Sequence, residues 1–384
     1  MKITGVETIV LKKPVEHPVS DSLHTYDVGG HLLTKVRTDE GVTGTALTYF
    51  GRIHSGMETV KLIIDRELSE VIRGQDPHMV RKIRNDMYVA TEYYGTVGVA
   101  NFAIAAIDNA LWDIMGKAAG LPTAMVLGAR REAIPAYAMV GWYYGGGMKE
   151  FIKQCEDAAS EGFGAVKLKV GRDSLAEDQE RIRAIHKALG EEFRVMVDAN
   201  CIFDEAEALR RGHAYEELGV YWFEEPLQPY MRDSHVRLRD KLRIPIAVGE
   251  NYYTRHQFYD VIRSGGASIV QPDNRRAGGV TEWMDIAAVS EAAGCKLASH
   301  GGGPGNVNVL CAIENAIYME SGSLAKENEM FVTPLRMEKG CILIPDVPGM
   351  GTDVDETYMK LYRMDKYNKV IGKRAPSKKG GYTP

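Results

Sequence analysis

Phe193-Arg194-Val195-Met196-Val197-Asp198 is a short apolar run that closes on an acid, and the chain repeats the arrangement twice. Val220-Tyr221-Trp222-Phe223 leads into Glu224, and Ile244-Pro245-Ile246-Ala247-Val248-Gly249 leads into Glu250. The acids are spaced 26 residues apart in both intervals, about one strand–loop–helix–loop unit. A carboxylate at the C-terminal end of a buried parallel strand has little reason to be there unless it binds or reacts. Three such groups on successive strands converge on one point. Three negative charges that close repel strongly unless a cation lies between them. A divalent metal is the economical explanation, and all-oxygen ligation favours a hard ion such as Mg2+.

Working outward, short apolar strands alternate with amphipathic helices from Ile134 onward. The strand candidates are Ile134–Met139, Ala165–Val170, Phe193–Asp198, Val220–Glu224, Ile246–Glu250, Ser268–Gln271, Lys296–Ser299 and Ile317–Glu320. One intervening helix is capped by Asp173 or Ser174, shows Leu175, Ile182, Ile185 and Leu189 on one face, and ends at Gly190. Another spans Val280 to Ala293 and ends at Gly294. Eight strands alternating with helices predict a parallel β/α barrel. An open doubly wound sheet is the runner-up, and it lacks its dinucleotide fingerprint after the first of these strands. Residues 1–50 alternate like antiparallel strands around an Asp39-Glu40-Gly41 turn, and Met57 to Ala119 reads as helical, ending near Gly120. Pro348-Gly349-Met350-Gly351 reads as a turn and Lys373 to Gly380 as a basic tail.

Composition narrows the function. The 384 residues are 45% hydrophobic and 26% charged, as in ordinary globular proteins. A net charge of −5 makes no electrostatic case for nucleic acid or an anionic membrane. Five scattered cysteines, with no CxxC pair, read as free thiols in a reducing cytoplasm. Neither a signal-peptide core nor a membrane-length apolar run is present in the sequence.

The other strand ends add chemistry. Lys167 and Lys169 lie two apart, so they share a face. In a barrel that face can be the interior, where burial and mutual repulsion depress a lysine pKa, opposed by the carboxylates, and a lysine tuned towards neutrality can act as a general base. A solvent-facing strand edge is the bland alternative. Strand six runs into Asp273 and strand seven into His300. On adjacent strands they can hydrogen-bond, the Asp fixing the His tautomer and raising its basicity. Glu320 ends strand eight and, as a buried acid, could stay protonated and donate to a substrate oxygen, or form a rim salt bridge instead. Gly301-Gly302-Gly303-Pro304-Gly305 lacks a P-loop ending and reads as a sharp turn beside the site. Trp142-Tyr143-Tyr144 can wall a pocket or pack in a core.

With these residues in place the sequence resembles the enolase superfamily, within it the mandelate racemase subgroup. Residues 106–122, Ala-Ile-Asp-Asn-Ala-Leu-Trp-Asp-Ile-Met-Gly-Lys-Ala-Ala-Gly-Leu-Pro, look like its capping-domain helix. Val197-Asp198-Ala199-Asn200, Glu224-Glu225-Pro226 and Gly249-Glu250-Asn251 look like its metal-ligand segments, with Glu224 preferred to Glu225 by position. Lys167-x-Lys169 and the Asp273/His300 pair carry the subgroup signature; the muconate lactonizing subgroup would place a lysine where Asp273 stands. The resemblance implies a modified TIM barrel, (β/α)7β, over residues 131–325 and an α+β capping domain over 1–130, completed by 326–384. It implies one Mg2+ per subunit on Asp198, Glu224 and Glu250, binding a substrate carboxylate and stabilising the enediolate formed when the α-proton leaves. Lys169 and His300 would flank the α-carbon, Lys167 would supply positive charge, and Glu320 would hydrogen-bond the other oxygen. Dehydration of an acid sugar to a 2-keto-3-deoxy acid, a hydro-lyase reaction, is the leading expectation. Racemisation or epimerisation of a 2-hydroxy acid and cycloisomerisation are the alternatives on the same site. A binding protein that has lost catalysis stands outside the enzyme class. Two loops, Pro18 to Gly30 and Tyr49 to Gly56, would select the substrate, with His24, Arg52 and His54 as polar candidates. Arg276 has no assigned role. A cytoplasmic homo-oligomer acting on a small carboxylate is expected.

Overall fold

Eight parallel strands close on themselves. In the computed structural model, which describes residues 1–49, 55–95, 97–143, 147–172 and 174–364, the barrel strands follow three strands of an N-terminal sheet. That sheet is antiparallel: β1 (Ile3–Ser20), β2 (Thr25–Thr38) and β3 (Thr43–Tyr49). The barrel strands are β4 (Ala133–Met139), β5 (Ala165–Lys169), β6 (Arg194–Asp198), β7 (Phe223–Glu224), β8 (Ile246–Val248), β9 (Ile269–Val270), β10 (Lys296–Ala298) and β11 (Ala316–Ser321). Each pairs in parallel with the next, and β11 pairs with β4 to close the ring. The open-sheet alternative is thereby excluded. Ser174 caps the Leu175–Leu189 helix by accepting from the Glu177 N–H at 3.2 Å, while Asp173 lies outside the described residues.

Strand alternation builds the barrel interior in layers. Tyr137, Ala165, Met196, Trp222, Ala247, Ile269, Ala298 and Tyr318, one from each strand or the residue leading into it, form a single apolar cluster. Two residues further along, the same face carries Lys167, Asp198, Glu224, Gln271, His300 and Glu320. The floor is thus apolar and aromatic, and the layer above it is ionic. Register places Lys169 opposite Asp198 and Asp198 opposite Glu224. Gly249 allows β8 to end differently: a Cβ there would lie 2.5 Å from the Gln271 backbone nitrogen.

The cap packs its sheet on three helical stretches, Gly56–Ile72, Val80–Thr91 and Val99–Ala119. The last of these ends at Gly120, whose φ of +68° is left-handed. Its buried polar residues tie the two units together. Asp108 accepts from Thr281 N and Oγ1 at 2.9 and 2.6 Å, and Asn109 Oδ1 accepts from Val280 N at 3.1 Å. Two residues of the cap therefore satisfy the first free N–H groups of the barrel helix Val280–Ala292. Asp113 likewise accepts from Thr45 N at 2.8 Å and Met350 N at 2.7 Å, joining β3 to the Pro348–Gly351 turn. Met330, Phe331, Val354 and Tyr358 pack on Ile9, Leu11 and Leu33 of the cap, while Cys341–Leu343 pairs antiparallel with β4. All five cysteines are free. Among the described residues no helix is long and apolar enough to cross a membrane.

Burial, against the Thr281 hydrogen bonds, pushes Asp108 up to about 6 from 3.8. Its protonated form is the one the fold favours, so stability is lost as pH rises from the unfolded value through 6. Asp108→Asn should remove that slope. Denaturation curves of the two proteins should diverge on the order of 3 kcal/mol between pH 3.5 and 6.5; parallel curves would refute the assignment.

Candidate active site

The C-terminal ends of the barrel strands carry the ionic layer. Asp198, Glu224 and Glu250 are buried, and one oxygen from each lies within 4.8 Å of the others. Three carboxylates so close, with no other donor type among them, fit a hard divalent ion. Glu225 turns away: Asn251 Nδ2 donates to both of its oxygens at 2.8 Å, and Cys201 Sγ donates at 3.3 Å. Burial, then Glu250 and Asp198, hold Glu225 well above the usual carboxylate range. Arg276, which sequence reasoning left without a role, donates from Nη1 to Asn251 Oδ1 at 2.5 Å and so supports that contact. Asn200, Cys201 and Glu225 have φ of 46°, 62° and 42°. These left-handed non-glycine residues lie within three residues after two of the three carboxylate positions, a concentration of strain typical of functional sites.

Each carboxylate faces a basic partner. Lys169 Nζ donates to Asp198 Oδ2 at 2.5 Å, Lys167 Nζ to Glu224 Oε1 at 2.5 Å, and His300 Nε2 lies 3.4 Å from Glu250 Oε2. Lys167 also reaches Glu320 at 3.1 Å and Asp198 at 3.6 Å. Both lysines are buried, which excludes the solvent-facing edge. Their expected depression is reversed: burial lowers both, but Glu224 and Glu320 around Lys167, and Asp198 beside Lys169, outweigh it and raise them. The acids near them crowd closely enough that the ammonium form is the stable one while no cation shares the site.

Asp273 and His300 meet as expected, Nδ1 to Oδ2 at 2.7 Å. Burial would lower His300, but Glu250 and the Asp273 hydrogen bond push it up to about 9. Glu320 departs from expectation. Burial would raise it, yet Lys167, His300 and Lys169 bring it down to about 2. These charges favour its ionised form while no cation shares the site, and it receives the Tyr137 Oη–H at 3.1 Å. Gln271 Nε2 and Trp222 Nε1 donate to Glu224 Oε2 at 2.7 and 3.1 Å.

The cap reaches this layer through a hairpin. The expected loop Pro18 to Gly30 is mostly strand, because β1 and β2 extend to Ser20 and from Thr25, leaving a turn at 21–24. Asp21 is the buried residue of that turn, and it was missed. Burial would raise it, but His24 and the charge of Lys169 hold it at about 2. His24 Nδ1 stands 3.2 Å from both Asp21 oxygens. Trp142 stacks its face on Lys169, Nζ 5.1 Å from the ring centroid. Arg52 and His54 lie outside the described residues, as do Tyr144 and the tail from 365. Arg275 was also missed: it forks onto Asp273 and lines a cavity of about 200 Å3 with His31, Tyr49, Asn274, Asn306 and Glu327. No motif marks Arg275 or Asp21, and only burial exposes their roles.

Comparison with known proteins agrees with this geometry. Residues 5–128 match the mandelate racemase / muconate lactonizing enzyme N-terminal domain, and residues 150–358 match the enolase C-terminal domain-like family. The chain is 31% identical to an arabinonate dehydratase of Saccharolobus solfataricus over 93% of its length and 94% of that protein's. It is 31% identical to a 3,6-anhydro-alpha-L-galactonate cycloisomerase of Streptomyces coelicolor, covering 92% of this chain and 97% of the relative. The crystal structure of L-talarate/galactarate dehydratase from Salmonella typhimurium, liganded with Mg and L-lyxarohydroxamate, superposes with a TM-score of 0.88 at 29% identity, over 94% and 93% of the two chains. The chain belongs to the mandelate racemase / muconate lactonizing enzyme family of the enolase superfamily.

Proposed function

We propose that this protein is a Mg2+-dependent hydro-lyase that dehydrates an acid sugar to a 2-keto-3-deoxy acid. The reading is carried by one observation: two basic side chains on different strands, Lys169 and His300, border a common carboxylate hub, each held by its own acid. The dehydratase relatives support it. Asp198, Glu224 and Glu250 would hold Mg2+, which when bound supplies positive charge where the substrate carboxylate gains charge.

Lys169, with its ammonium proton first released to solvent, takes the α-proton at Nζ. His300 carries a proton on Nε2 to the departing β-hydroxyl, which leaves as water; the C–O bond breaks, an enol forms and tautomerises to the ketone. Asp273 keeps Nδ1 protonated and so presents Nε2 to the site. The Asp273 hydrogen bond raises the imidazole and so favours its proton, as an acid needs. Lys167 stays charged beside the substrate carboxylate. Ionised Glu320 accepts from a substrate hydroxyl. The turn at Asp21 and the face of Trp142 wall the Lys169 side. We take residues 1–130, completed by the C-terminal segment from 326, as the cap and 131–325 as the barrel, and the assembly as a homo-oligomer.

Cycloisomerisation is the second reading, favoured by the equally similar cycloisomerase relative. The test is NMR of Mg2+-loaded protein with mono- and diacid sugars and 2-hydroxy acids in D2O. A 2-keto-3-deoxy product is expected. Isomeric products formed without loss of water would move the protein to cycloisomerases. Deuterium at the α-carbon with inverted configuration and no elimination would make it an epimerase.

A further inference from the structure

We propose that Arg275 is a positioning residue of the dyad: its guanidinium clamps Asp273 and thereby fixes the ring angle at which His300 faces the carboxylate hub. The inference rests on the reading that His300 handles a proton.

The two Asp273 oxygens are held differently. Oδ1 accepts from the backbone N–H of Arg275 at 2.8 Å and of Arg276 at 3.3 Å, as at any helix start. Oδ2 is the oxygen His300 uses, at 2.7 Å, and among the described residues no backbone N–H donates to it. Arg275 supplies the missing restraint: Nε donates to Oδ1 at 2.8 Å and Nη2 to Oδ2 at 2.6 Å. A planar fork on both oxygens fixes the carboxylate plane, which a lysine point charge cannot do. Fixing that plane fixes the direction in which Oδ2 receives the imidazole N–H.

The chain on the histidine side leaves room for this clamp. Gly301 directly follows His300 with φ +72°, and a Cβ on it would lie 2.6 Å from Arg275 Nη2. On its other flank Arg275 borders the cavity of about 200 Å3, with its guanidinium carbon 5.8 Å from the Tyr49 ring centroid. The fork ties the guanidinium to Asp273 on the side away from that cavity.

Two readouts test the clamp on the Mg2+-loaded full chain. The first is kcat and KM for the acid sugar that the wild type dehydrates. Arg275→Met should lower kcat about 10- to 100-fold, the range for partners that orient a site's first layer, with KM unchanged. Arg275→Lys should be equally impaired, since charge without the fork does not restore the plane. In an Asp273→Asn background Arg275→Met should cost nothing more. The second readout is the downfield imidazole N–H resonance assigned by its absence in His300→Asn. It should be present in wild type and shifted or lost in Arg275→Met and Arg275→Lys. Gly301→Ala, which keeps the arginine but displaces Nη2, should reproduce the pattern. Full activity in Arg275→Lys, the same loss in the Asp273→Asn background, or an unmoved resonance would overturn the proposal. If the wild type turns over no acid sugar, the dehydratase reading fails, and the resonance alone still decides the clamp.

Discussion

Lys169→Met is expected to lower kcat by about 10²–10⁴-fold, the contribution of a positioned proton-transfer group, without weakening Mg2+ binding. The two effects separate because of where the ammonium sits. Lys169 Nζ donates to Asp198 Oδ2 at 2.5 Å, directly across the β5–β6 register. A divalent ion on Asp198 competes with that contact. Removing the ammonium removes the competitor, so affinity should hold or rise while proton abstraction disappears. Methionine keeps the length and apolar contacts of the lysine stem in a barrel whose interior is close-packed, so the fold should tolerate it. Steady-state kinetics and calorimetric Mg2+ titration check both halves. Retained turnover would remove Lys169 from the chemistry, and a parallel collapse of metal affinity would make its role structural.

Glu250→Gln should weaken Mg2+ by more than about 100-fold, beyond the range of supporting residues, and abolish turnover at ordinary Mg2+ concentrations. This position gives the cleanest test of the carboxylate hub. Glu224 is held by Lys167, Gln271 and Trp222, so its replacement strands buried donors. Glu250 faces only the His300 Nε2, 3.4 Å away, among the contacts described above. Its charge also presses on Glu225 and Glu224, both raised by burial first and by neighbouring acids after it, Glu224 to about 7. The metal-free variant should therefore melt no lower than metal-free wild type, and the melting increase that Mg2+ gives wild type should vanish. Thermal melts with Mg2+ and with chelator decide it. A destabilised metal-free variant, or an undiminished Mg2+ effect, would contradict a hub held together by cation binding.

Much of this site is readable in the chain because a strand end is a local event. An apolar run stopping at an acid locates Asp198, Glu224 and Glu250 without any knowledge of what lies opposite. Lys167 and Lys169 are legible as a pair for the same reason, since period two places them on one face. What escapes is set by distant neighbours. The protonation of both lysines and of Glu320 depends on charges contributed by six strands and their ends, and intuition from burial alone points the wrong way. Arg275 looks like one of two exposed arginines until the barrel closes and Asp273 and Gly301 come to it. Asp21 lies in a segment that reads as a loop, because its pairing partner across the hairpin begins only four residues later.

The way the cap is fastened bears on how such a protein can change over time. Its anchor is a hydrogen-bonded helix start: Asp108 and Asn109 close the first turn of Val280–Ala292. The hairpin that faces Lys169 carries none of those bonds. Scaffold and selector are thus separate inheritances. If the turn around Asp21 and His24 selects the substrate as the proposed function has it, mutations can redraw it without touching the bonds that hold cap to barrel. Substitutions at Asp108 or Asn109 carry the opposite consequence: they alter how firmly cap holds barrel and leave the turn unchanged.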